Sequence, residues 1–127
     1  MRLPANIFAL LLVACPAWLA SPALAQSACL EPVPPPPVDG AVTTADQLRA
    51  ANADARAFIS EASVYQACLN GEVEAARTRA TADGMPVDPA LEADTKVRIA
   101  ASERAQEKVG MAINAAMTNY ELAHAGN

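Results

Sequence analysis

The stretch TTADQLRAANADARAFISEASVYQACL, running from Thr43 to Leu69, decides the fold. Its apolar residues fall at Leu48, Ala51, Ala55, Phe58, Ile59, Ala62, Tyr65 and Leu69, in steps of three and four. Such spacing makes one apolar face on a 3.6-residue helix. Thr44 with Gln47 three residues on forms a capping box, in which two otherwise free amides are satisfied reciprocally. Thr43 with Asp46 gives the same signal one residue earlier, and both starts stay open. The helix is expected from about Ala45 towards Ala82. Asn70-Gly71 marks a weak point within it, because glycine costs about 1 kcal/mol in a helix interior. Gly84 can take the left-handed conformation of a C-cap, and Pro86 prevents continuation.

A second helix opens at Asp88-Pro89. Asp88 caps the free amides, and Pro89 takes the first helical position, where a missing N–H is harmless. Its apolar face reads Leu91, Thr95, Ile99, Ser102, Ala105, Val109, Ala112, Ile113, Ala116 and Tyr120, weak before Ala105 and strong after Val109. Fraying is expected near Leu122, leaving 124–127 as a loose tail. Two long helices joined by so short a loop pack antiparallel. The fold class is therefore all-α, a two-helix hairpin over 44–123. Phe58 falls opposite Ile113 and Ala62 opposite Val109, so the bulky residues meet away from the connecting loop. Near the loop, Ala76 against Thr95 and Ala80 against Leu91 bury little area.

Upstream, Arg2 is the only charge before Glu31, Ile7 to Ala20 is nearly all apolar, and Ala23-Leu24-Ala25 has the small-x-small pattern of a signal peptidase site. Residues 1–25 read as a signal peptide cleaved between Ala25 and Gln26, which implies a periplasmic location. An uncut membrane anchor is one alternative, although the apolar run is interrupted by Pro16 and sits at the short limit for a span of about 20 residues. Lipidation is another, because Leu12-Val13-Ala14-Cys15 resembles the bacterial lipobox. The apolar core before Cys15 is short for that, and Trp18, Leu19 and Leu24 would be left as an apolar stalk.

The mature chain keeps Cys29 and Cys68, and an oxidising compartment pairs them. Closing this loop stabilises by about 4 kcal/mol in the chain-entropy model. Free thiols and an intermolecular bridge are the other readings. Between Cys29 and the helix start lies a Pro-rich segment, 26–43, in which Pro34 to Pro37 favour polyproline II. A flexible spacer, a ligand for a proline-recognising domain and an ordered strap all fit that composition. Lengths favour the strap. From Cys68 back to Thr44 the helix covers about 36 Å, and from Cys29 to Asp39 a polyproline strand covers about 31 Å. Leu30, Val33 and Val38 are expected to cover the groove between the helices.

A formal charge of −5 (−6 once Arg2 is removed) disfavours nucleic acid, whose phosphates attract a basic patch. With the signal gone only Phe58, Tyr65 and Tyr120 remain as aromatics, too few for base stacking or an aromatic-lined pocket, so no small-molecule substrate is evident. His124, the only histidine, lies in the expected tail. The serines have no neighbouring base, and no Gly-rich phosphate loop or Cys-x-x-Cys-His haem motif occurs. Glu92 with Lys96 falls at i, i+4 on a solvated, mixed-sign surface. The carboxylates between Asp83 and Asp94 lack calcium-loop spacing. Tyr65 beside Cys68 reads as a half-buried tyrosine next to a disulfide. No catalytic, cofactor-binding or metal-binding residue is identified, and the chain does not read as an enzyme.

The order of features is an exported chain, a cysteine before a Pro-rich stretch, a glycine before a Thr-Thr helix start, then Tyr-x-x-Cys-Leu. It resembles small exported helical proteins of Gram-negative bacteria, a group with no assigned activity. The resemblance spans residues 29–69 and implies an envelope location. Val97, Ala101, Met111, Ala115 and Leu122 form a second apolar line on the second helix, suited to helix-on-helix contact. A protein partner in the cell envelope, or self-association, follows. The alternative is a lipid-anchored spacer acylated at Cys15, the one case in which the membrane is a partner.

Overall fold

The computed structural model describes residues 29–126. Two helices occupy most of them: α1 spans Ala45–Asp83 and α2 spans Pro89–His124. The start of α1 is Thr44. The Gln47 amide donates to Thr44 Oγ1 over 3.3 Å, and the Thr44 amide donates to Gln47 Oε1 over 3.0 Å. That is the capping box with both halves made. The stop is Gly84, at φ 65° and ψ 27°. The Met85 amide reaches Ala80 O at 2.8 Å and the Gly84 amide reaches Thr81 O at 3.3 Å, which satisfies two of the four free carbonyls at the helix end. Asp88 caps α2 by accepting from the Ala90 amide at 2.9 Å, with Pro89 in the first turn. Asn70-Gly71 does not interrupt α1. A single glycine costs too little to end a helix held by packing on both sides of it.

The helices pack antiparallel. Ala55, Phe58, Ala62, Tyr65, Leu69 and Val73 are buried on α1, against Thr95, Ser102, Val109 and Ala116 on α2. All of these except Val73 belong to the faces expected from periodicity. Cross-helix partners Gln66–Ser102 and Arg77–Glu92 lie within one turn of the expected register. One apolar cluster gathers Ala55, Phe58 and Val109, with Ile59, Ala105 and Ile113 against it. The other gathers Cys29, Tyr65 and Leu69, with Cys68 and Ile99. Nothing on α1 beyond Val73 is buried. The loop end is therefore thin, as its small and charged residues dictate.

Cys29 and Cys68 form the disulfide, with Cα atoms 5.8 Å apart. It pins an irregular extended segment against the hairpin. Along that strap the better-covered residues are Cys29, Pro32, Pro35 and Val38. Three residues per turn is the polyproline II period. The expected cover of Leu30, Val33 and Val38 is thus only one-third right. Leu30 and Val33 are each 85% exposed, because the disulfide fixes the phase at Cys29 and every third residue after it faces inward.

The strap ends in a turn in which the Val42 amide reaches Asp39 O at 3.3 Å and the Ala41 amide reaches Asp39 Oδ1 at 3.0 Å. Gly40 is buried there against α2. A Cβ at that position would collide with the carbonyl oxygen of Ala116 and lie 2.9 Å from the Tyr120 amide nitrogen. Both obstacles are helix backbone and cannot swing aside. Gly40→Ala is expected to cost about 1–3 kcal/mol, in the range of overpacking. A denaturant midpoint unchanged from that of the parent would contradict the close approach.

The α2 terminus differs from expectation. It runs to His124 rather than fraying near Leu122, because the His124 ring stacks on Tyr120 with centroids 4.2 Å apart.

Candidate functional site

Polar chemistry in the hairpin collects at the disulfide. Arg98 Nε donates to the Tyr65 hydroxyl at 3.0 Å, and its guanidinium carbon lies 5.5 Å from the ring centroid. The hydrogen bond to Tyr65 raises the Arg98 pKa above its ordinary value against the opposing effect of desolvation, so the side chain stays charged. Glu72 brings a carboxylate oxygen within 4.8 Å of the sulfur atoms of Cys29 and Cys68. A reduced pair with that carboxylate would be a three-ligand set. Joined in a disulfide, the sulfurs are neither nucleophiles nor metal ligands. Gln66 Nε2 donates to the buried Ser102 hydroxyl at 3.0 Å, which uses a polar pair to fix register rather than to do chemistry.

Other sequence candidates scatter. His124 Nδ1 lies 2.8 Å from Tyr120 O at the C-terminal end of α2. Glu92 pairs with Arg77 of α1 at 2.8 Å, not with Lys96, since its position on α2 faces the other helix. Arg77 also holds Glu74 at 2.6 Å, so it ties the thin end together. These pairs are exposed, and exposed pairs contribute little. The cleavage site Ala25–Gln26 and Cys15 lie outside the described residues.

What remains is surface. On α2, Val97, Met111 and Leu122 are 65%, 60% and 73% exposed. Val64 on α1 is 68% exposed. Their outward position follows from helical phase: Val97 and Met111 sit two residues from the buried positions Thr95 and Val109.

A second feature escaped the sequence reading. A slot of about 480 Å³ opens between the strap and the helices, lined by Pro34 to Val38, Ala51, Ala55, Ala105 and Ala112, with exposed Lys108 also among its lining residues. Alanine at all four of those helix positions leaves the space. The signal for it lay in the pairing of small helix residues with a proline run, not in aromatics.

Comparison with protein-family models, curated proteins and solved structures gives no match to this chain. Among the described residues, no helix is long and apolar enough to cross a membrane.

Proposed function

We propose that this protein is a non-enzymatic, exported helical hairpin that works by helix-on-helix contact, with another cell-envelope protein or with a second copy of itself. The observation that carries this is the line Val97–Ala101–Met111–Ala115–Leu122 along α2, exposed at every position but half-buried Ala101. Val97, Met111 and Leu122, spaced 14 and 11 residues apart on one side of α2, have no partner within the hairpin, and a two-helix unit buries little surface alone. Export is supported by the Cys29–Cys68 disulfide, which persists where thiols are oxidised. Its resemblance to small exported helical proteins of Gram-negative bacteria supports the same compartment.

A photo-crosslinking residue at Met111, in the protein expressed in its native compartment, is expected to give a discrete adduct. The same residue at exposed Glu103 serves as the control. Adducts at both sites, or at neither, would overturn the reading. An adduct of twice the chain mass identifies self-association, and sedimentation of the purified protein checks it.

The second reading, a lipid-anchored spacer, rests on Leu12-Val13-Ala14-Cys15. Intact mass separates the two, since cleavage before Gln26 and acylation at Cys15 leave chains of different length and composition.

A further inference from the structure

We infer that the slot beneath the strap is a binding site for a single straight-chain carboxylate amphiphile, of the fatty-acid type. The wall chemistry selects an alkyl chain. Four consecutive prolines offer no N–H to the slot, and the helix walls present alanine, Val109 and Ile113. A volume of about 480 Å³ falls within the range of small-ligand pockets.

Shape selects a linear molecule. The lining runs from Pro34 to Val38 on the strap and from Ala105 to Ile113 on α2. Each run covers about 12 Å, the length of an extended alkyl chain of roughly nine or ten carbons. The runs lie side by side because Gly40 anchors the strap against Ala116 and Tyr120.

Charge selects the headgroup. Lys108 is the one charged residue lining the slot, and among the described residues it forms no ion pair. Lys108 is exposed, and a lysine that lines an apolar wall with its charge open to water suits a carboxylate at the edge of an apolar site. An anionic chain end thus finds a cation in an otherwise acidic protein. This site is separate from the exposed line on α2, so it stands or falls independently of the crosslink at Met111.

The test titrates the purified disulfide-bonded protein with octanoate, decanoate and dodecanoate below their micelle concentrations. Decylammonium serves as the reversed-charge probe, and amide shifts are the readout. Saturable shifts are expected at Val38, Ala105, Lys108 and Ala112. Affinity should rise about fourfold per methylene until the slot is full, then level off. Decanoate should bind more tightly than decylammonium, and Lys108→Gln should remove most of that preference while leaving the chain-length dependence. Ala112→Leu, which fills the slot, should abolish binding of both probes. Ala55→Val makes the same test should the first variant not fold.

Four results would each overturn the inference. They are absence of saturable shifts, equal affinity for the two charges, undiminished binding by the filled variants, and shifts at Val97 and Met111 in place of the slot. Shifts at the slot that follow protein concentration alone would also overturn it, by showing a second copy as the occupant.

Discussion

Removing the disulfide by Cys29→Ala with Cys68→Ala is expected to lower unfolding stability by about 4 kcal/mol. The estimate follows from the sequence separation of 39 residues and the loop-closure entropy it releases to the unfolded chain. Loss of packing around Tyr65, Leu69 and Ile99 adds to it. For a domain with only Leu69 fully buried among its large side chains, a loss of that size removes much of the total. Denaturant titration of parent and variant gives the number. A second measurement tells whether the strap depends on the bond. Val33 and Val38 have no amide hydrogen bond to report on, so nitrogen relaxation is the better probe. Order parameters near 0.85 in the parent, falling below about 0.6 in the variant, are the expected result. A rigid strap in the variant would show that the groove contacts suffice.

Phe58→Ala should cost roughly 3–5 kcal/mol. Its ring is 4% exposed and is the largest side chain in the cluster with Ala55 and Val109. The neighbours that could collapse into the space are Ile59, Ala105 and Ile113, all already held by helix backbone. By contrast Ala76→Ser, half-buried near the thin end, should cost well under 1 kcal/mol. The comparison tests the lopsided distribution of packing along the hairpin. Similar midpoints for the two variants would mean that stability is spread evenly along it.

Local features of the fold were legible in the sequence because their causes are local. Thr44 with Gln47, Gly84, and Asp88-Pro89 each act within one turn, and each sits where its chemistry places it. The buried faces followed from periodicity, even at polar Thr95 and Ser102. Strap register was harder to read, since hydrophobicity points to Leu30 and Val33 while geometry points to Pro32 and Pro35. Counting in threes from a pinned Cys29 would have resolved it. The slot was missed for a related reason. Emptiness arises between segments far apart in sequence, and alanine reads as helix former in either case. Function was the least legible. An outward line of apolar residues shows where contact can occur and carries no record of the partner.

Both cysteines precede the first residue of α2. In a chain that emerges amino terminus first, Cys29 and Cys68 can therefore meet before Pro89 has appeared. Strap and first helix are then already joined covalently into a trough, and the second helix arrives last as a lid. The order of assembly is written into the topology, with the 39-residue loop closed before more distant contacts such as Gly40 with Ala116 are needed.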